Sequence, residues 1–172
     1  DVYKRQLTGS QKLFSDLAKQ TDQISDPSHR GRLLALEGLL AQFAGNPEAA
    51  ASAYRQAATA YETLHDVHGT ATAVFNLGCA SAETGRYSES LQAFESAIRE
   101  MGRLGADADC ALATFNIGYL FLQLGDGLAA RRCIVPLRES ALRLGLDVFQ
   151  FQADLIEAEI SRATKKWGEA RP

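Results

Sequence analysis

The sequence predicts an all-α protein built from stacked helix pairs, and three observations support this fold class. Two blocks, AVFNLGCASAETG from Ala73 and ATFNIGYLFLQLG from Ala113, share a Phe-Asn-apolar-Gly core at an offset of 40 residues. Apolar residues recur at helical steps of three and four, as in Leu33, Leu36 and Leu40. No stretch alternates over a useful length with the period of two that a β-strand requires.

The 40-residue offset extends beyond the two blocks that reveal it, as a true repeat must. Five columns of similar residues follow when the register is carried along the chain: Gly38, Gly78, Gly118 and Ala158; Gly45, Gly85 and Gly125; Phe14, Tyr54, Phe94 and Ile134; Leu17, Ala57, Ala97 and Leu137; Ile24, Leu64, Leu104 and Leu144. Agreement in five columns predicts one structural unit repeated along the chain.

Each repeat is predicted to contain helix A, a tight turn, helix B and a short connection such as GADAD at 105–109. The second glycine column marks the turn, because a residue that ends a helix often adopts the left-handed conformation. The first glycine column lies inside helix A, where glycine costs about 1 kcal/mol relative to alanine. We expect a neighbouring helix to approach closely there.

The register also predicts the organisation of the whole chain. Helix B of a partial repeat is expected at 9–25, three full repeats at about 29–66, 67–106 and 107–146, and helix A of a last partial repeat at 147–164, with Trp167 at the start of its helix B. Residues 1–8 are unassigned, and a non-native lead would explain them. We expect the parent protein to continue in both directions, so that uncapped ends allow self-association.

The pattern resembles the tetratricopeptide repeat, whose helix A carries an apolar-Gly pair and whose helix B carries small and aromatic residues. The matching residues are Leu77, Gly78, Tyr87, Ser90, Phe94 and Ala97, then Ile117, Gly118, Ala130 and Ile134, and the most typical junction is GNPEAAASAYRQA from Gly45. The usual repeat has about 34 residues, so this is a longer form. The resemblance implies a right-handed α-solenoid of antiparallel helix pairs, similar to bacterial regulatory and adaptor proteins.

The resemblance further implies that helix A lines a concave groove. At the corresponding positions stand Arg32, Leu39, Gln42, Thr72, Phe75, Asn76, Cys79, Leu112, Phe115, Asn116, Tyr119 and Leu122. A primary amide donates and accepts at once, so Asn76 and Asn116 would hold the backbone of an extended peptide. Alternatively, both asparagines tie helix A to its neighbours. An apolar or aromatic ligand fits better than a C-terminal carboxylate, because Arg32 is the only basic residue of the set.

The function predicted from these features is a protein–protein interaction or scaffold module that binds an extended peptide or a partner helix and belongs to a larger, bacterial regulatory protein. The alternative is a set of sensor repeats attached to an ATPase-type transcriptional regulator or a caspase-like peptidase domain outside this sequence. Neither role places catalysis or a cofactor in the chain itself.

Composition argues against other classes of partner. The formal net charge of −3 and the pI near 5.6 provide no field that attracts nucleic acid or an anionic membrane. No apolar run approaches the roughly 18 residues of a membrane span. Three cysteines without a Cys-x-x-Cys pair suit a reducing compartment, so a cytoplasmic location is expected.

Candidate chemical sites each have a simpler explanation. Glu62, His65 and His68 are spaced as metal ligands on one helical face, but helix B should end near His65. Cys79 has no histidine in register to activate it. The basic pairs Arg131–Arg132 and Lys165–Lys166 are interpreted as solvated surfaces. Pro136 falls inside helix B of the third full repeat and should kink it.

Overall fold

A computed structural model describes Lys12, Asp16 and residues 27–169 of the chain, and nearly all of these residues are helical. The helices are α1 (Pro27–Phe43), α2 (Pro47–Thr63), α3 (Val67–Glu83), α4 (Tyr87–Arg103), α5 (Asp107–Gln123), α6 (Gly127–Arg131), α7 (Ile134–Leu144) and α8 (Asp147–Glu169). This part of the chain contains no strand, which confirms the all-α class. Apart from Lys12 and Asp16, residues 1–8 and the helix B predicted at 9–25 lie outside the described residues.

The chain divides into two compact bodies, an N-terminal body (Asp1–Glu100) and a C-terminal body (Met101–Pro172). In the N-terminal body, α2 packs between α1 and α3. Its buried residues are mostly alanines, gathered around Tyr54 and Leu34. In the C-terminal body, α5, α6 and α7 all contact α8 or each other around Leu137 and Ile156. Consecutive helices therefore pack as pairs, as the sequence predicts.

The turn glycines adopt the conformation predicted for them. Gly45, Gly85 and Gly125 have φ angles of 72°, 76° and 75°, in the left-handed region. The following residue closes the turn, as when the Arg86 N–H donates to the Ser81 carbonyl at 2.9 Å. This bond satisfies a carbonyl that the helix end would otherwise leave open. Within the described residues no helix is long and apolar enough to cross a membrane.

The connection from helix B to the next helix A uses the same turn. Gly105 and Gly145 have φ angles of 70° and 64°, and His65 occupies the equivalent position at 56°. The helix before His65 ends at Thr63, where the sequence predicts the end of helix B. A left-handed residue other than glycine is disfavoured by contacts of its Cβ atom.

We expect His65→Gly to stabilise the chain by about 0.5–1 kcal/mol, because it removes the Cβ contacts of the left-handed conformation and gives the turn the residue that Gly105 and Gly145 provide. Urea unfolding measures the difference. The reverse change, Gly105→Ala, should cost a similar amount, since nothing within 4 Å would meet its Cβ atom and only the backbone is strained. A loss of stability in His65→Gly would contradict this explanation of the turn.

The first glycine column lies against large side chains. A Cβ atom on Gly38 would lie 2.7 Å from the Tyr54 ring, and one on Gly78 would lie 2.8 Å from the Phe94 ring. Both contacts join helix A to helix B of the same repeat, so the predicted close approach is confirmed. In the C-terminal body the nearest neighbour of Gly118 is Ile156 of α8, whose Cδ1 atom would lie 2.6 Å from a Cβ atom, and the Cys133 Cβ atom follows at 3.1 Å.

Helix B of the third repeat differs from the predicted kinked helix, because it is interrupted. It consists of α6 and α7, separated at Arg132 and Cys133. The N–H groups of these two residues donate to Ala129 and Ala130, three residues back, which tightens the chain. Pro136 thereby lies in the first turn of α7, where its missing N–H is tolerated.

The last helix also differs from the prediction. A turn after residue 164 was expected, followed by the start of another helix B at Trp167, but α8 continues without a break to Glu169. Lys165 stands where the earlier repeats have Gly45, Gly85 and Gly125. Without glycine, forming the left-handed turn costs more free energy than extending the helix by another turn. The lysines also favour helix.

A polar network joins the first two repeats in the N-terminal body. One Glu89 carboxylate oxygen accepts from Arg86 Nε at 2.8 Å and from Ser81 Oγ at 3.0 Å, and the other accepts from Arg55. Arg86 also pairs with Glu48 of α2. Glu89 therefore links α2 and α4 through their side chains. The hydrogen bond from Arg55 is the largest cause that lowers the pKa of the Glu89 carboxyl.

The lowered pKa of Glu89 predicts a pH-dependent contribution to stability. A carboxyl whose pKa is lower in the folded state stabilises the fold above its unfolded pKa and loses this effect as the pH falls through the folded pKa. We expect Glu89→Gln to cost about 0.5–1 kcal/mol at pH 7, and the gap to wild type to close as the pH falls below the ordinary carboxyl value of 4.5. Urea unfolding at pH 7 and again below the ordinary carboxyl value tests this, with Glu95→Gln as the control on the same helix. A gap that persists in acid would contradict the role of charge.

Candidate functional site

A cavity of about 310 Å³ opens between α1 and α3 in the N-terminal body, and it contains several residues of the predicted groove. We call it the groove cavity, and its lining residues are Arg32, Ala35, Tyr61, Asp66, His68, Gly69, Thr72, Ala73 and Asn76. Arg32, Thr72 and Asn76 were predicted from the sequence as groove residues. The structure thus brings together predicted residues that lie 40 and more positions apart.

Tyr61 forms the wall of the groove cavity at the end of α2. Its ring lies where Cβ atoms on Gly31 and Gly69 would approach to 3.0 and 2.6 Å, so the two glycines give the ring its space. Burial is the main cause that raises the pKa of the Tyr61 phenol, and the nearby Asp66 carboxylate adds to the rise. The phenol therefore stays neutral at physiological pH and presents a hydroxyl group.

Asp66 fixes the entrance of α3 beside the same cavity. Its Oδ1 atom accepts from the Gly69 N–H at 2.8 Å, which caps the helix. The Asp66 carbonyl also accepts from the Thr70 hydroxyl at 2.8 Å. Helix α3 therefore starts at a defined residue, which sets the positions of Thr72 and Asn76 within its first three turns.

The other predicted groove residues of the N-terminal body are partly used by the fold. Gln42 donates to Glu83 and accepts from the Tyr54 hydroxyl at 3.3 Å, so both ends of its amide have partners. The Phe75 ring lies 5.6 Å from the ring of the buried Phe94. Leu39 is exposed. Gln42 and Phe75 are therefore engaged by other residues of the fold, and Leu39 is the one of the three most available to a ligand.

In the C-terminal body the predicted residues lie on α5. Leu112 and Tyr119 are exposed, and the Tyr119 ring lies 6.2 Å from the ring of Phe115. Phe115 and Leu122 also pack against the buried core of this body, and Asn116 is half-buried. Leu112 and Tyr119 give α5 an apolar surface with one hydroxyl group.

The larger side chains of the groove cavity that sequence reasoning missed are Tyr61, Asp66 and His68. Tyr61 lies near the end of helix B, Asp66 lies in the turn that follows and His68 lies at the start of α3, ahead of the helix A positions in the predicted set. One signal was present in the sequence: Gly31 and Gly69 are glycines within helices, where each costs about 1 kcal/mol, so a bulky neighbour is expected. That neighbour is Tyr61.

Two larger clefts belong to the packing of helix A against its own helix B. One of about 510 Å³ lies between α1 and α2, and another of about 340 Å³ lies between α3 and α4. Arg30, Leu34, Gln56 and Ala60 line the first, and the residues 40 positions later, Thr70, Val74, Ser96 and Glu100, line the second. Because the cleft recurs, it reflects repeat geometry, and it contains none of the predicted groove residues.

The structure also bears on the candidate chemical sites. Glu62 is on α2, His65 is in the turn and His68 is on α3, so they share no helical face. No group of three potential metal ligands occurs in the described part of the chain. Burial raises the pKa of the Cys79 thiol to about 11, and it also raises the pKa values of the Cys110 and Cys133 thiols. At neutral pH these thiols are protonated, which opposes a nucleophilic role.

Residues 71–100, which span most of α3 and α4, match the family model described as tetratricopeptide repeat. The chain therefore contains a tetratricopeptide repeat. Tetratricopeptide repeats generally mediate protein–protein interaction and typically act as non-enzymatic scaffolds. The matched segment contains Thr72, Phe75, Asn76 and Cys79 of the predicted groove and ends in α4.

A solved structure supports the fold over nearly the full length. The crystal structure of BtubC (BKLC) from P. vanneervenii superposes on this chain with a TM-score of 0.63, covering 97% of this chain and 76% of that chain at 16% sequence identity. At that identity the similarity shows the fold alone. A search of curated protein sequences finds no match.

Proposed function

We propose that this tetratricopeptide repeat protein binds an extended peptide segment of a partner protein, with the backbone of the peptide held in the groove cavity. The observation that supports this proposal most is the set of side chains that meet there. The Asn76 amide donates and accepts hydrogen bonds, Thr72 offers a hydroxyl and Arg32 offers donors only. Such a set matches the alternating N–H and C=O groups of an extended backbone.

The size of the groove cavity favours a short stretch of extended chain over a docked helix. Its volume of about 310 Å³ is at the lower end of the range of ligand pockets, roughly 300–1,000 Å³. A helix is about 10 Å across with its side chains and needs a longer, wider surface. A partner helix remains the second form of ligand that helix A residues would accept.

On α5, the exposed Leu112 and Tyr119 favour apolar or aromatic side chains in the ligand. Tyr119 is 47% exposed and lies against Phe115, so its ring is supported on one side and open on the other. Aromatic residues held in this way often carry much of the energy of an interface. We propose that this α5 surface contacts apolar residues of a partner.

Selection from a random peptide library tests the proposal. Peptides selected on the folded chain are titrated into isotopically labelled protein, and we expect the amide signals of Thr72 and Asn76 to shift. Thr59 and Gln56 of the cleft between α1 and α2 serve as internal controls whose signals should stay in place. Thr59→Ala should leave affinity unchanged, whereas Arg32→Ala should weaken it. Shifts confined to the α1–α2 cleft would contradict the proposal.

We further infer that the module is part of a larger regulatory protein in a bacterial cytoplasm. Within the described residues Cys79, Cys110 and Cys133 form no disulfide, which supports a reducing compartment. Sequencing the gene on either side of this segment tests the first part, and it would also reveal an ATPase-type or caspase-like neighbour. Fractionation of the source cells with an antibody against the chain tests the location.

A further inference from the structure

Three aliphatic side chains on helix B of the third repeat are unusually exposed. Leu128 on α6 is 78% exposed, and Val135 and Leu142 on α7 are 60% and 85% exposed. They are spaced by seven residues, so Val135 and Leu142 lie on the same side of α7 about 10 Å apart. We call these three residues the heptad stripe. Single exposed aliphatic residues are ordinary, but a regular series of them marks an interaction surface.

The earlier repeats show that this surface is not required by the fold. The positions 40 residues before the heptad stripe are Ser88, Glu95 and Gly102, and those 80 residues before it are Glu48, Arg55 and Glu62. None of these six residues is aliphatic, and five of them are polar or charged. The same helix B position therefore faces solvent with polar residues in two repeats and with aliphatic residues in the third.

The charge of the third helix B differs in the same way. Residues 127–144 contain four arginines and one glutamate, a net charge of +3. The equivalent helices α2 and α4 contain one more acidic than basic residue each, a net charge of −1, and the whole chain has −3. A basic surface with an apolar stripe therefore stands on an otherwise acidic protein.

The arginines lie beside the heptad stripe. Arg131 and Arg132 are exposed between Leu128 and Val135, and Arg143 is exposed next to Leu142, with its Nε atom 3.5 Å from Asp107. Arg138 is engaged by Asp154 and Glu157 of α8, which holds α7 in place. Glu139 is the one acidic residue on this helix.

From this arrangement we infer a second interaction surface, at which the heptad stripe binds an acidic amphipathic helix of a partner protein. A helical partner presents apolar residues at intervals of seven, which is the spacing of Leu128, Val135 and Leu142. Glutamates beside its apolar positions pair with Arg131, Arg132 and Arg143. This surface lies on helix B, and the inference does not depend on the groove cavity.

An anionic membrane is the less favoured partner, although a basic surface with exposed aliphatic residues also suits one. The chain as a whole is negatively charged and would be repelled. The stripe also lacks exposed Trp or Phe, the residues that commonly enter the membrane interface. Lipid binding is therefore an outcome that would overturn the inference.

The test uses three synthetic helical peptides, each about 21 residues long, which is the length of three heptads. The first has leucine at the first and fourth heptad positions with glutamate beside them, the second has lysine in place of glutamate, and the third contains a central proline. We expect the acidic peptide to bind the full chain at least ten-fold more tightly than either of the others by fluorescence anisotropy. Its affinity should fall about ten-fold as salt rises from 50 mM to 500 mM, because exposed ion pairs are screened.

Variants of the chain locate the binding. Leu142→Ser and Arg132→Gln should each weaken binding of the acidic peptide at least five-fold, and the melting curve should stay unchanged because both side chains are exposed. Phe43→Ser, which removes an equally exposed apolar side chain in the N-terminal body, should leave binding unchanged. Equal affinity for acidic and basic peptides, or equal losses in Leu142→Ser and Phe43→Ser, would overturn the inference.

Two further measurements separate the other possible occupants. Sedimentation velocity would show a dimer that Leu142→Ser abolishes if a second copy of the chain covers the stripe. If the surface faces a membrane, the wild type would bind vesicles of phosphatidylcholine with phosphatidylserine, and Leu142→Ser would abolish this binding. Either result would contradict a partner helix, and we expect neither a dimer that depends on Leu142 nor binding to the vesicles.

Discussion

Phe94→Ala is expected to lower the free energy of unfolding by about 3–5 kcal/mol, the largest loss from any single change considered. Phe94 is 1% exposed and lies against Gly78, and its ring is 5.6 Å from that of Phe75. Truncation would leave a cavity between α3 and α4 that alanine cannot fill. Urea unfolding followed by circular dichroism measures the loss.

The matched control for Phe94→Ala is Phe43→Ala, which removes the same ring from a side chain that is 72% exposed. It should change stability by no more than about 0.5 kcal/mol. Similar losses in both variants would mean that burial of Phe94 does not hold the second repeat together.

Gly78→Ala is expected to lower stability by up to about 2 kcal/mol even though alanine favours helix. The new Cβ atom would lie 2.8 Å from the Phe94 ring, closer than non-bonded carbon atoms approach. The ring is buried and packed on Phe75, so one of the two helices must shift. Overpacking of about 1–3 kcal/mol exceeds the helix gain of roughly 1 kcal/mol. Thermal unfolding reports the difference.

Gly102→Ala is the control within the same chain, because its Cβ atom would meet only Cys110 Sγ, at 3.9 Å. It should stabilise the chain by about 0.5 kcal/mol through helix propensity alone. In the double variant Gly78→Ala and Phe94→Leu, the smaller side chain should make room, so that the loss is less than the sum of the two single losses. Stabilisation by Gly78→Ala would contradict the close approach.

Much of this fold is predictable because residues within one repeat determine the backbone conformation of that repeat. The φ angles of Gly45, Gly85 and Gly125 follow from one physical rule, that a left-handed helix end favours a residue without Cβ. The close contacts at Gly38 and Gly78 follow from another, that glycine is retained inside a helix where a neighbour is near. Both rules act within one repeat, and the sequence contains all the information they need.

The departures occur where interactions outside one repeat decide the structure. Register places Ile134 opposite Gly118, but the helix break at Arg132 and Cys133 puts Ile134 at the start of α7. Ile156 of α8 and Cys133 lie against Gly118 instead. The break follows from Pro136, whose ring cannot be accommodated in a continuous helix. The aligned columns of the repeat show which residues are alike. They do not show which helix packs against those residues.

The candidate site is predictable only in part for the same reason. Helix A positions identify Arg32, Thr72 and Asn76, which line the groove cavity. They do not reveal that the amide of Gln42 is occupied by Glu83 and Tyr54, because that depends on side-chain geometry between helices. The heptad stripe was also missed, although comparing helix B positions across repeats would have shown it.

The central claim is that Asn76 acts as a binding residue, and one variant measured in two ways tests it most directly. If the Asn76 amide holds a peptide backbone, Asn76→Ala loses about 0.5–1.5 kcal/mol of binding free energy for a library-selected peptide, a several-fold weaker affinity, while its melting temperature stays within about one degree of wild type. Asn116→Ala, measured alongside, shows whether α5 has the same role. A melting temperature lowered by several degrees with unchanged affinity would contradict the claim and make Asn76 a structural link between helices.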